Sequence, residues 1–243
     1  MGVNGSAIRA VDTGGRAVVR LSGSAWSAPP ASPAAGAEPA GTGPASGALA
    51  PDRAAALFVR QAGGALPRPE PAAVQRLVRL CGHLPSVLGL AAALLRADPR
   101  RTVSGLADDL GSARDRFPGL DGAALAVAAV LDLSYRDLPA SRRRLLRYLG
   151  LHPGPDFDVP AAAALGNLTL LHARRSLADL RERQLLIESG GRYRFPDLVA
   201  DHVHRLAAEE PVVVRDAALE RLRDCDSRAR ARRTSGESTT NQH

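Results

Sequence analysis

The chain has 243 residues and a formal net charge of +7, and it contains no lysine, so all 32 of its basic residues are arginine. The lack of lysine excludes a phosphate-binding loop of the P-loop type and any enzyme that depends on a Schiff-base lysine. The two cysteines, Cys81 and Cys225, have no CxxC partner, which favours reduced thiols in a cytoplasmic protein. No apolar run approaches the roughly 18 residues that span a bilayer, so we expect no membrane partner.

The first fifty residues are predicted to stay outside any hydrophobic core. From Ser22 to Ala50 almost every residue is Ser, Ala, Pro, Gly or Thr. Such a segment buries too little apolar surface to offset the entropy lost on ordering. We therefore predict that residues 1–50 form a low-complexity, disordered segment.

Residues 51–118 are predicted to form a small bundle of four helices. Apolar residues recur there at spacings of three and four, as on the buried face of a helix. Pro85 suits the first turn of a buried central helix, and Thr102 suits the cap of the helix that follows. Pro118-Gly119 and Asp121-Gly122 then indicate a hinge-like connection.

Residues 123–209 are predicted to form a winged-helix domain, in which several helices precede a β-hairpin. Two short alternating runs flank Gly190-Gly191, a pair that can adopt the positive φ angles of a tight hairpin turn. A helix is expected to begin at Asp197, with Asp197 available to cap it. The fold class is thus mainly α, a small helical bundle followed by a winged helix with one hairpin, and with disordered tails at both ends.

The remaining residues, 212–243, are predicted to form an amphipathic helix from Val212 to Cys225 and a basic, disordered tail. Between Arg221 and Arg233 six arginines stand against two aspartates. A solvated helix end accounts for this charge better than a nucleic-acid-binding arm does.

Four segments, in order, resemble motifs of NB-ARC proteins, the nucleotide switches of the STAND class, in their actinobacterial regulator branch. Residues 80–85 resemble the Gly-x-Pro motif, and residues 131–139 resemble a Leu-Ser-Tyr-x-x-Leu-Pro segment. Residues 149–157 resemble the stretch that follows this segment, and residues 192–198 resemble a Tyr-x-Phe-His-Asp-Leu motif. The resemblance covers about residues 51–208, which in that family are the helical and winged-helix domains.

The resemblance implies a set of nucleotide-contacting positions in this chain. Gly82 and Pro85 match the residues that approach the adenine and ribose, so Gly82, Pro85, Pro196 and Asp197 are the candidate binding residues for ADP or ATP. The family places a histidine on the β-phosphate of ADP where this chain has Pro196. Because proline has neither a ring nitrogen nor a backbone N–H, Pro196 cannot donate that hydrogen bond.

The family's phosphate-binding domain has no counterpart in these residues. There is no GxxxxGK segment and no lysine, and no hydrophobic strand ends in paired acids. We expect this P-loop domain to be absent. A truncation, a frame shift or a wrong start site would each explain why the low-complexity sequence gives way to a foldable one near Leu49.

The resemblance implies a non-enzymatic regulatory fragment that acts through intramolecular or partner contacts, with ADP binding weak or lost. The expected partner is a P-loop domain or another protein chain, and no metal is expected, because His202 and His204 lie on different faces of a helix. The alternative is a DNA-binding transcriptional regulator. Its recognition helix would be 169–184, and arginines of this helix and of the wing would meet phosphates. They are Arg174, Arg175, Arg181 and Arg183 on the helix and Arg192 and Arg194 on the wing. A remnant without a function of its own is the third possibility.

Overall fold

The computed structural model describes residues 8–11, 17–21, 24–27, 47–65 and 70–237, and it is mainly helical. Its helices are α1 (Pro51–Ala62), α2 (Pro71–Leu80), α3 (Pro85–Ala97), α4 (Val103–Arg114), α5 (Gly122–Arg136), α6 (Ala140–Leu149), α7 (Val159–Gly166), α8 (Leu170–Glu182), α9 (Asp197–Ala208) and α10 (Val212–Glu237). Its strands are β1 (Ile8–Val11), β2 (Ala17–Leu21), β3 (Ser24–Ser27), β4 (Ile187–Ser189) and β5 (Arg192–Arg194). The predicted fold class, helical with a small hairpin among the later helices, is confirmed.

The first four helices, α1 to α4, occupy the region predicted as a bundle. Helix α3 is its centre, since every residue from Val87 to Leu95 is buried. Pro85 is the first residue of α3, where its missing N–H costs no hydrogen bond. The Thr102 hydroxyl accepts a hydrogen bond from the Gly105 N–H at 3.0 Å and so caps α4. Both sequence predictions are confirmed.

One hydrophobic core runs through the chain from Ala54 to Leu222. Helix α5 joins its two ends, because it packs against α3 and α4 and also against α9. The Arg116 guanidinium forms an ion pair with Asp132 across the link between α4 and α5. The expected boundary at 118–123 therefore falls between elements that share a core, and the separate domain limits stay a prediction.

The hairpin β4–β5 is confirmed in its predicted place. Its strands pair antiparallel, with Glu188 opposite Tyr193, and the turn residues Gly190 and Gly191 have φ angles of 58° and 76°. Only a residue that tolerates positive φ suits these positions, which is why glycine is found there. Phe157 pairs with Tyr193 as an isolated bridge, so the loop before α7 lies against the second strand of the hairpin.

The two ends of the chain differ from the expectation. Strands β1, β2 and β3 form an antiparallel sheet that was not predicted, with Val19 opposite Trp26. The other residues of 1–46 lie outside the described residues, so disorder there stays a prediction. Helix α10 continues to Glu237 rather than ending near Cys225, and the expected disorder of residues 238–243 likewise lies outside the described part.

Candidate functional site

The Gly82–Pro85 turn joins α2 to α3 and carries two of the candidate nucleotide-binding residues. Gly82 and His83 have φ angles of 61° and 57°, so two successive residues are left-handed. The turn packs against α5, since a side-chain carbon at Gly82 would lie 3.4 Å from Ala126 Cβ. A larger residue at position 82 would thus meet both backbone strain and the first turns of α5.

The backbone donors of this turn are all used within the protein. The N–H groups of Gly82, His83 and Leu84 donate to carbonyls of α2 and Cys81 at 3.0 to 3.3 Å. The His83 carbonyl accepts the N–H of Leu49 at 2.9 Å, and Pro85 has no N–H to offer. Gly82, His83 and Leu84 therefore have no free backbone N–H in this structure, and the turn can contact a nucleotide only through its side chains and carbonyl groups.

The Cys81 thiol lies directly beside the turn and is inert. Burial raises its pKa to about 12, and the nearby Arg114 charge only partly offsets this. Arg114 donates a hydrogen bond to the Leu80 carbonyl at 2.8 Å, which ties α4 to the end of α2. Since a nucleophile must be a thiolate, Cys81 is a core residue.

The other two candidate residues, Pro196 and Asp197, stand where α9 begins. Pro196 occupies the N-cap position, and its carbonyl accepts the Val199 and Ala200 N–H groups at 2.8 and 3.0 Å. Asp197 is the first helical residue and makes no capping hydrogen bond. The expectation that Asp197 caps this helix is wrong. The residue with extended backbone that precedes the helix is Pro196, so Pro196 occupies the N-cap position and Asp197 is already helical. Its carboxylate acts on the helix dipole only.

The two pairs of candidate residues lie on different elements. Gly82 and Pro85 lie at the α2–α3 turn, beside Ala126 of α5, whereas Pro196 and Asp197 lie at the N-terminal end of α9. No hydrogen bond or ion pair joins the two pairs within the described residues. Their role in nucleotide binding stays a prediction.

His202 is a partly buried titratable residue in the middle of α9. Its pKa is lowered to about 4, first by burial and then by the Arg205 charge, against a smaller opposing effect of Asp132. Its Nε2 atom has no hydrogen-bond partner among the described residues. Its ring meets Tyr135 edge-on, with centroids 6.3 Å apart. His202 is thus partly buried and uncharged at neutral pH. In the sequence, only its helical spacing with apolar neighbours indicated that it faces the protein.

Half of the arginines that could meet DNA are committed to ion pairs in the protein. Arg181 pairs with Glu188, and Arg183 pairs with Asp137 and Asp179. Arg192 donates to Asp156 at 2.8 Å, and this hydrogen bond lowers the pKa of the Asp156 carboxyl. The other three of these six arginines, Arg174, Arg175 and Arg194, have no ion-pair partner among the described residues and are exposed.

A groove of about 520 Å³ opens where α7, α8 and α10 meet, away from all four candidate residues. Arg221 of α10 fixes one wall, because it donates to the Ala164 and Leu165 carbonyls at 2.9 and 2.7 Å. Thr169 caps α8 on the opposite wall. This groove was not predicted from the sequence, since it depends on how α10 packs against α7.

The described residues contain no group of three or more His, Cys, Asp or Glu residues placed to hold a metal ion. None of the helices in that part of the chain combines the length and the apolar character needed to cross a membrane.

The chain is similar to one segment of bacterial regulatory proteins. It is 37% identical over 180 residues to the regulatory protein AfsR of Streptomyces griseus. It is 36% identical over 182 residues to the regulatory protein AfsR of Streptomyces coelicolor. Each alignment covers 72% of this chain but only 18% of the relative. No family model matches the chain.

Proposed function

We propose that this chain is a non-enzymatic regulatory segment, the helical and winged-helix part of an NB-ARC-type switch, which acts in the cytoplasm through protein contacts. The similarity to AfsR supports a regulatory role. The four family-like motifs support the finer assignment, and they fall on the α2–α3 turn, the end of α5, the loop after α6 and the hairpin with the start of α9.

The proposal includes ADP binding that is weak or lost. The observation that carries it is Pro196 at the N-cap of α9, where the resemblance requires a histidine donor. Proline leaves that position without a side-chain or backbone donor. The absence of any lysine from the sequence supports the same conclusion.

A titration of the purified chain with fluorescent ADP tests this part of the proposal. We expect no saturable change in anisotropy up to about millimolar concentration, which corresponds to a binding free energy weaker than about 4 kcal/mol. Saturable binding in the micromolar range, lost in a Pro85→Ala variant, would overturn the proposal. A Pro71→Ala variant, which changes the first residue of α2 instead, is the matched control.

DNA binding is the second candidate, favoured by Arg174, Arg175 and Arg194, which are exposed and form no ion pair with any residue that the structure describes. An electrophoretic mobility shift with duplex DNA at low and at physiological salt separates the two candidates. Binding driven by phosphates weakens steeply with salt. We expect no shift at either salt concentration, whereas a shift at low salt that is lost in an Arg174→Ala/Arg175→Ala variant would favour the DNA-binding candidate.

A further inference from the structure

Three leucines at the α7–α8 junction are exposed to solvent. Leu168 is 37% exposed, and Leu170 and Leu171 are 55% and 57% exposed. We call Leu168, Leu170 and Leu171 the leucine patch. Large apolar side chains are normally exposed singly, and a cluster within four residues is typical of a binding surface.

The leucine patch borders the groove between α7, α8 and α10. Leu168 and Leu170 line this groove together with Pro160 and Ala163, so the apolar surface continues inward from the patch. The hydrogen bonds from Arg221 and the Thr169 cap hold its walls. A preformed groove lowers the entropy that binding must overcome.

The charge around the leucine patch is net positive. Arg174 and Arg175 lie one helical turn beyond Leu170 and Leu171, both are exposed, and neither has an ion-pair partner among the described residues. On α10, Arg228 lies 4.0 Å from Asp224, and both side chains are more than two-thirds exposed. A contact of that length in water contributes little, so Arg228 stays available to a partner.

From these observations we propose that the leucine patch and its groove bind an amphipathic helix of a partner protein, with apolar residues on one face and carboxylates beside them. The exposed leucines provide the apolar contact, and the three arginines complement the carboxylates. The inference rests on the proposed mode of action through protein contacts, but it does not depend on whether the chain binds ADP.

Duplex DNA fits the same surface poorly. Leu170 and Leu171 are the first two residues of α8, the part of a recognition helix that would meet the base edges. Leucine can neither donate nor accept a hydrogen bond there, and burying it against phosphates gains nothing. The arginines alone would suit DNA, so the leucines decide between the two partners.

Three fluorescein-labelled synthetic peptides of about 18 residues test the proposal with the full chain, since that length allows a helix to form on binding. The first places leucines on one helical face with glutamates beside them. The second replaces the glutamates by lysines, and the third scrambles the leucine positions of the first. We expect the first peptide to bind at least about tenfold more tightly than either of the others, measured by anisotropy.

Surface variants locate the binding. Leu170→Ser/Leu171→Ser is expected to weaken the acidic peptide about tenfold or more, and Arg174→Glu/Arg175→Glu to remove its advantage over the lysine peptide. Val212→Ser/Val213→Ser is the matched control, because these valines are 59% and 79% exposed at the start of α10. Circular dichroism spectra are expected to be unchanged in all three variants, since the replaced side chains are all exposed.

Protection of Cys225 supplies an independent measurement. Cys225 lines the groove, whereas Cys81 is buried. The acidic peptide is therefore expected to slow modification of Cys225 by a maleimide at least about threefold, whereas the scrambled peptide is not. Equal binding of the three peptides, no binding up to millimolar concentration, or binding that the leucine variant leaves unchanged would overturn the proposal. So would displacement of the peptide by duplex DNA, or self-association of the chain through the leucine patch.

Discussion

Phe157 and Tyr193 exchange two backbone hydrogen bonds. The Tyr193 N–H donates to the Phe157 carbonyl at 2.8 Å, and the Phe157 N–H donates to the Tyr193 carbonyl at 2.9 Å. Their rings are stacked with centroids 6.4 Å apart, and the ring centroid of Phe195 lies 5.8 Å from that of Phe157. The hairpin is thereby attached to the loop before α7, in a chain that has few other aromatic residues.

We predict that Phe157→Ala lowers the free energy of unfolding by about 3–5 kcal/mol, the usual cost of removing a buried phenylalanine. Phe157 is only 2% exposed, so the cavity left behind cannot be filled by water without further loss. Urea denaturation followed by circular dichroism measures the change. Ile187→Ala, at a 37% exposed position of β4, is the control and should cost less than about 1 kcal/mol. Equal losses for the two variants would show that the Phe157 contact does not anchor the hairpin.

A pH dependence of stability is expected from His202. Its pKa is about 4 in the folded protein, compared with an ordinary value of 6.5. Because the folded pKa is depressed, the contribution is fully present above pH 6.5 and is lost as the pH falls towards 4. The shift corresponds to about 3 kcal/mol. Urea denaturation at pH 7, 6, 5 and 4 should show a shallower decline for His202→Gln.

His204→Gln is the control for this pH series. His204 lies on the exposed face of the same helix and touches the Phe195 ring. Its replacement should leave the decline between pH 6.5 and 4 unchanged. If His202→Gln shows the same decline as the unmodified chain, His202 is not the group responsible.

Gly150, the C-cap of α6, lies tightly against α9. A side-chain carbon there would lie 2.8 Å from a methyl carbon of Val203 and 2.9 Å from its carbonyl oxygen. We predict that Gly150→Ala destabilises the chain by about 1–3 kcal/mol through overpacking. Gly111→Ala is the matched control in helix α4, where a methyl group meets nothing within 4 Å. It should stabilise by up to about 1 kcal/mol, because alanine favours the helix, and thermal denaturation of the two variants should give shifts of opposite sign.

The two thiols should react at very different rates. Burial raises the pKa of Cys81 to about 12, so almost no thiolate is present at neutral pH. Cys225 is partly exposed beside the groove. With Ellman's reagent we expect one fast thiol in the native chain and two in denaturant, and Cys225→Ser should remove the fast phase. A fast phase that survives in Cys225→Ser would mean that Cys81 is accessible.

Local sequence rules predicted the local structure well. The Pro85 helix start, the Thr102 cap and the Gly190-Gly191 turn each depend on a few neighbouring residues, and each is confirmed. The helix starts at Asp197 as predicted, but Asp197 failed as a cap because the extended residue before it, Pro196, occupies the N-cap position. A capping rule applied to Asp197 alone could not include that competition.

Features that depend on long-range packing were not visible in the sequence. The groove requires α10 to lie on α7, and the depressed pKa of His202 requires α5 and α9 to bury its ring. Helix α10 continues past Cys225 into an arginine-rich stretch. The excess of positive charge in this stretch had predicted a disordered tail instead. Arginine is nevertheless a good helix former, so propensity outweighed the charge pattern.

The most direct test of the central claim is the free energy of unfolding of the chain with and without about 1 mM magnesium ADP, with GDP as the ionic control. A ligand present at one hundred times its Kd stabilises a protein by about 2.7 kcal/mol. If this chain is a regulatory segment without the nucleotide lock, ADP and GDP should both leave the unfolding free energy unchanged. An increase of about 2.7 kcal/mol with ADP alone would contradict that account.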